Sequence, residues 1–280
     1  MKDFSAYKLN IKKSPKDDRD FKFRAIYKQV ALPIRTKNRE LMLPARDQLD
    51  QGTCAAFSGS EIQQFRDTKE MGLSEYLSPQ FIYNEREDTS TEGMTNRDLM
   101  KILQNKGVCL ERLYRYGTFS TPSEDAYENA LNHRSNNYAA IDYIEELKQA
   151  LYIKGPCVIA IPVYNFTERM WYQRAGDEFL GGHDMCVVDY DDEERIFWIL
   201  NSWGRDFGSD GYIKMSYDDF SLAWEYWSNV DLPSVKTTTE APTTTSDANP
   251  SWFEKNWHWI ATIIVVLGIA LTIFTCIRRS

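Results

Sequence analysis

The most restrictive feature of this 280-residue chain is one cysteine at the mouth of a helix-compatible stretch, with its chemical companions far downstream. Cys54 ends the glycine-bearing turn Gln48-Leu49-Asp50-Gln51-Gly52-Thr53 and opens the run Ala55-Ala56-Phe57-Ser58. Gly181-Gly182-His183 follows about 130 positions later, and Asn201-Ser202-Trp203-Gly204 about 150 positions later. A fold that unites this thiol, imidazole and carboxamide must bring remote segments into one cleft. A nucleophilic cysteine needs such company, because the thiolate is the nucleophile and a free thiol of pKa about 8.5 is mostly protonated at neutral pH.

Two local devices would correct that. A helix beginning at Cys54 points backbone N–H groups and the positive end of its dipole at the sulfur. His183, if adjacent in space, takes the thiol proton and later donates it to a leaving amine. The other histidines serve poorly, since His133 lies in a polar run and His258 abuts a long apolar stretch. Gly182 permits close approach of a substrate backbone. Asn201 is placed to accept from the imidazole and fix its tautomer, Trp203 to cover that bond, and Gln48 to supply an amide N–H to a developing oxyanion beside the Cys54 N–H.

Composition narrows the alternatives. A net charge of −8, with no basic aromatic stripe, argues against nucleic acid as a partner. The five cysteines, Cys54, Cys109, Cys157, Cys186 and Cys276, form no CxxC pair and no zinc-type spacing, and an odd number cannot all pair. A reducing compartment follows from that usage. No apolar stretch of signal-peptide character opens the chain at Met1-Lys2-Asp3-Phe4.

The other end differs. From Trp259 to Ile277 about 19 residues carry no charge, enough for a helix of roughly 28 Å against a hydrocarbon core of ~30 Å. Trp252, Phe253, Trp257 and Trp259 flank one side and Arg278-Arg279 the other, as interfacial anchors would. Residues 234–250 are rich in Thr, Pro and Ser and read as an extended linker. The plan is thus an arm over 1–30, a body over 31–233, the linker, and an anchor over 251–280 with its span at about 259–277.

Within the body, helices are expected from Cys54 to about Lys69, from Asn96 to Lys106 and from Ile141 to Ile153, stopped by Gly72, Gly107 and Gly155-Pro156. Short apolar or alternating runs over Cys157–Val163, Met185–Tyr190, Ile196–Leu200 and Tyr212–Met215 read as strands. Helices first and strands later make an α+β body of two halves, with the site expected where they meet.

With those motifs the chain resembles a cysteine peptidase of the papain family, of the type found in bacteria and large DNA viruses. The Cys–His and Cys–Asn separations match that family's. Further shared segments are Leu77-Ser78-Pro79-Gln80-Phe81, Glu92-Gly93, Gly107-Val108-Cys109, Gly155-Pro156-Cys157-Val158 and, most specifically, Asn201-Ser202-Trp203-Gly204 through Gly208-Ser209-Asp210-Gly211-Tyr212. The resemblance implies Cys54 as nucleophile, His183 as acid and base, Asn201 as its orienter and Gln48 as oxyanion donor. It also implies a two-subdomain fold with a cleft, a polypeptide substrate, and neither metal nor cofactor. Three positions depart from the pattern: Ala55 replaces the usual Trp after the nucleophile, Phe207 a frequent second Trp, and Gln51 a common disulfide cysteine.

The expected activity is therefore a membrane-anchored thiol endopeptidase. The alternative is an inactive papain-like module that binds peptide, or a structural membrane or virion protein. A span so near the C-terminus favours insertion after translation, with the catalytic body on the cytosolic side. The arm over Lys8–Lys28 is available to cover the cleft, and Asn165-Phe166-Thr167 is a glycosylation sequon.

Overall fold

A computed structural model describes residues 3–230, so the linker and the membrane span expected at 259–277 lie outside the described residues. In chain order the regular elements begin with strand β1 (Ile11–Lys12), helix α1 (Phe23–Ile26), helix α2 (Cys54–Met71) and helix α3 (Pro79–Asn84). They continue with β2 (Met94–Thr95), α4 (Asn96–Asn105), α5 (Glu124–Ala130), β3 (Asn137–Ile141) and α6 (Ile144–Ile153). The last are β4 (Cys157–Val163), β5 (Gly181–Asp191), β6 (Ile196–Leu200), β7 (Tyr212–Ser216) and β8 (Glu225–Val230). Among the described residues no helix is long and apolar enough to cross a membrane.

The α+β expectation holds in its broad form: a helical half built on α2 meets an antiparallel sheet of order β3-β8-β4-β5-β6-β7. Strand β4 explains how one sheet serves two cores. Every residue of Cys157–Val163 is buried, as a strand covered on both faces requires. Cys157, Ile159, Ile161 and Val163 enter the core beneath α6, with Tyr190, Phe197 and Trp203. Val158 and Ala160 point the other way, into the core that α2 and α4 close with Ile62, Leu99 and Leu103. Each such large aliphatic side chain stabilises the body by about 1.5–3 kcal/mol.

Helix α2 ends where its sequence signals say. Gly72 adopts the left-handed conformation at φ 72° and returns its N–H to the carbonyls of Asp67 and Thr68. At the other end Thr53 makes no side-chain cap, so the first-turn N–H groups stay available to whatever faces them. Helix α4 is instead capped by Thr95, whose hydroxyl accepts from the Asp98 N–H.

Two expected boundaries shift. Ile141 belongs to β3, paired with Tyr226, and α6 begins at Ile144 after Asp142 accepts no further strand partner. Strand β5 begins at Gly181, so His183 sits inside the strand, paired with Ile161, instead of preceding it. Residues 3–30 run along this body: β1 pairs in parallel with β2, Asn10 bridges Gly182, and Phe23 is wholly buried beside Ala139 and Leu147 in the core under α6.

Candidate active site

Cys54 is the first residue of α2 and is buried to 1% exposure. Backbone amides of Ala55, Asp184 and Asn10 lie near its sulfur and favour its ionised form. The first is the helix terminus left uncapped by Thr53. The second comes from β5, one residue beyond His183, which brings the histidine strand onto the nucleophile. The third belongs to the N-terminal arm.

His183 is wholly buried, and its Nε2 lies 2.7 Å from Asn201 Oδ1. Asn201 follows β6 and is held by its own N–H on the Gly211 carbonyl at 2.9 Å. Its Oδ1 also accepts the Ser202 N–H at 2.8 Å, which fixes the oxygen toward that amide. An oxygen facing Nε2 requires Nε2 to carry the proton, so the neutral ring presents the lone pair of Nδ1. Nδ1 is buried and has no partner among the described residues. Trp203 covers the His–Asn bond, its ring 4.8 Å from the imidazole and itself backed by Phe207 at 4.9 Å. Phe207, the departure from the usual Trp, meets Trp203 edge-on.

Gln48 is wholly buried in the turn before α2. Its Oε1 accepts from Ser202 Oγ at 2.7 Å, which aims Nε2 at the Gln51 carbonyl (2.9 Å) and at the Lys8 carbonyl of the arm (3.3 Å). A carbonyl oxygen already stands where the amide would receive an oxyanion. The arm fills the rest of the cleft in the same way. Asn10 Nδ2 lies 2.3 Å from where a Gly52 Cβ would stand, the Asn10 carbonyl oxygen 2.1 Å from a Gly93 Cβ, and the Ile11 carbonyl 2.5 Å from a Gly182 Cβ. Side chains at Gly93 or Gly182 would expel it. Tyr7 stacks on Trp203 with ring centroids 5.1 Å apart and donates its hydroxyl to Asp47 at 2.8 Å.

This cover sets the electrostatics. Burial first, and then the nearby Asp184 carboxyl, push the Cys54 thiol up to about 12. Burial lowers His183 to about 4, only partly offset by the bond to Asn201. Both shifts disfavour charge, so beneath the arm the pair rests as thiol and neutral imidazole. Readmitting water relieves the burial that causes both shifts. No group of metal-ligating side chains occurs among the described residues.

Comparison with known proteins agrees with this arrangement. A family model described as papain family cysteine protease matches residues 31–226. The chain belongs to that family. It is a cysteine-type peptidase by membership, and its papain-like fold is shared with xylellain, a cysteine protease from Xylella fastidiosa. That structure is 28% identical, with a TM-score of 0.71 over 82% of this chain and 99% of the other. An uncharacterised peptidase C1-like protein of Acanthamoeba polyphaga mimivirus is 30% identical over 215 residues, 65% of this chain and 69% of that protein. Procathepsin L of Felis catus is 27% identical, over 68% of this chain and 62% of its own length. The chain spans 52% of cathepsin B-like CP3 from Giardia intestinalis, about half of that relative.

Of the residues singled out from sequence, His183, Asn201 and Trp203 stand together, Gln48 joins them through Ser202, Gly182 precedes His183 on β5, and Cys54 meets that strand at Asp184, with no hydrogen bond between its sulfur and His183 Nδ1. His133 stands apart in the turn after α5, buried with Nδ1 2.8 Å from Asp67 of α2, a pairing the polar run around it conceals. Sequence reasoning missed Ser202, which orients Gln48, and Asp184, beside the nucleophile. The signal for Ser202 was present in the Asn-Ser-Trp-Gly motif. Nothing local marks Asp184, because its surroundings come from α2 and α4.

Proposed function

We propose that the chain is a cysteine endopeptidase held latent by its own N-terminal arm. The supporting observation is the doubly accepting Asn201 Oδ1, which leaves Nδ1 as the one nitrogen of His183 without a partner among the described residues, one position before the Asp184 that meets Cys54. With the arm displaced, Nδ1 takes the thiol proton and the Cys54 thiolate attacks the carbonyl carbon of an extended peptide. The oxyanion is received by Gln48 Nε2 and the Cys54 N–H. His183 returns the proton to the leaving amine as the C–N bond breaks, leaving a thioester. Water then gives a proton to Nδ1 and attacks the thioester, releasing the carboxylate product and the thiolate.

Titration of the full-length protein with an irreversible epoxide inhibitor tests this. Label is expected on Cys54 once the arm is loosened, and is expected to vanish in Cys54→Ala and His183→Ala. Equal labelling of Cys54 and the buried Cys109 would mark nonspecific thiols and sink the assignment. The second reading, a peptide-binding module without turnover, draws on the buried thiol and the occupied cleft. Its signature is a loosened protein that binds peptide and takes no label.

The bilayer anchor at about 259–277 and a cytosolic catalytic body complete the proposal. They rest on the uncharged run with its Trp and Arg flanks. Asn165 reports the side directly. Its amide is spent on the Tyr172 carbonyl at 3.1 Å and on Asp177 at 3.3 Å, while Thr167 is exposed. An unmodified Asn165 in cells is the expected result, and a glycan there would place the body on the opposite face.

A further inference from the structure

Thr53 stands at the N-cap position of α2 and does not cap it. Threonine is among the residues that ordinarily do, by accepting from the N–H two or three positions on, here that of Ala55 or Ala56. The Thr53 backbone, at φ −107° and ψ 13°, lacks the extended shape of a capping residue, and its buried hydroxyl is engaged elsewhere. Thr53 Oγ1 and the Tyr116 hydroxyl lie 2.7 Å apart. The single phenolic proton goes to the Gln48 carbonyl at 2.6 Å, so Thr53 is the donor in its own bond to Tyr116.

One phenolic oxygen thus ties both ends of the turn before α2, the end that bears the Gln48 amide and the end that abuts the nucleophile. The turn needs such a restraint. Leu49, exposed within it, sits at φ 53°, a left-handed conformation unfavourable for a residue with a Cβ. At the helix end the Ala55 amide is the contested group. It lies near the Cys54 sulfur and favours its ionised form. A threonine hydroxyl turned onto that N–H, or onto the next, would take from the thiolate a donor at the positive end of α2.

Tyr116 is itself firmly held. Its N–H donates to Glu111 Oε1 at 3.0 Å, and Glu111 pairs with Arg46 at 2.9 Å. The next N–H, of Gly117, donates to Oε1 of the buried Gln80 at 2.9 Å. The Tyr116 ring meets Phe57 edge-on with centroids 5.0 Å apart, about one turn along α2 from Cys54. A phenylalanine would fill the same space, so what the hydroxyl adds lies in its two bonds.

We infer that Tyr116 is a positioning residue for the hydrolysis. By occupying the Thr53 hydroxyl it leaves the first N–H groups of α2 to the Cys54 sulfur and the oxyanion. By bonding the Gln48 carbonyl it fixes the residue whose side-chain amide shares that oxyanion. The inference rests on the peptidase reading above and adds a residue that acts only through its neighbours.

The test is made in full-length protein loosened by Tyr7→Ala. Tyr116→Phe is expected to lower kcat about tenfold or more with KM nearly unchanged. It is also expected to raise, by about half a unit or more, the pH at which iodoacetamide labelling of Cys54 is half-maximal. The titratable groups that bear on the sulfur, Asp184 on β5 and Tyr83 on α3, are untouched by the substitution, as is His183. Adding Thr53→Val, which leaves no hydroxyl to cap the helix, is expected to return that pH to its starting value while kcat recovers only in part. Thr53→Val alone is expected to leave the pH in place, and a rise there overturns the inference. A lower melting temperature in Tyr116→Phe with kcat and labelling unchanged marks a structural brace and overturns it, leaving the peptidase intact. A shift that persists when Thr53→Val is added overturns it too. Absence of label on Cys54 in the Tyr7→Ala protein, with no peptide cleaved, removes the peptidase reading and this inference with it.

Discussion

Full-length protein carrying Tyr7→Ala and Ile11→Asp hydrolyses peptides with a kcat/KM at least about a hundredfold above that of the unaltered chain. Tyr7 is 7% exposed, stacked on Trp203 and bonded through its hydroxyl to Asp47, and Ile11 is 4% exposed in the core that includes Cys54. Truncating a buried aromatic removes about 3–5 kcal/mol, and Ile11→Asp places a carboxylate in an apolar core. About 2.7 kcal/mol shifts the closed-to-open ratio a hundredfold. The rate of Cys54 labelling is expected to rise in step, because the same event restores water to the thiol and the imidazole. Unchanged kinetics and labelling would show that residues 3–14 do not restrain the site.

Gln48→Ala, made in that loosened background, lowers kcat by about 10²–10³-fold, the loss of about 3–4 kcal/mol typical of one oxyanion donor. The background matters. Gln48 also holds the arm through the Lys8 carbonyl, so in the unaltered chain the same substitution would partly release the cleft and mask the loss. Gln48→Glu, which keeps the size and removes the donor, separates the oxyanion role from the turn-bracing bonds to Gln51 and Ser202. A rise in KM with kcat unchanged in both variants would move Gln48 from the reaction to ground-state binding. Thermal unfolding of each variant checks that the turn survives.

What could be read from the sequence was what neighbours in sequence determine. The glycine turn before Cys54, the strand-ending Asn201 and the stop at Gly72 carry local backbone signals, and each stands where its signal says. The sheet strands from Cys157 onward were legible because two-sided burial forces unbroken apolar runs. Ile141 misled, since its spacing to Ile144, Leu147 and Leu151 fits a helix face, yet pairing with Tyr226 on a strand far downstream wins. The arm was beyond sequence reading for a related reason. Leu9-Asn10-Ile11 has no periodicity of its own, and its shape is imposed by Gln48, Gly93 and Gly182. His133 and Asp184 likewise take their meaning from partners on α2 and α4.

Burial of Phe23 gives the arm a second attachment, since that ring, the Phe21 carbonyl bonded to the Ala140 N–H and the Lys22 bridge stay on the sheet half whatever residues 3–14 do. Displaced, the blocking segment therefore cannot diffuse away. A short tether keeps it at a local concentration of order millimolar, and dilution of the protein leaves that figure untouched. A free peptide competes only near such levels, so severing the chain between Ser14 and Phe21 would convert a reversible latch into a permanent opening.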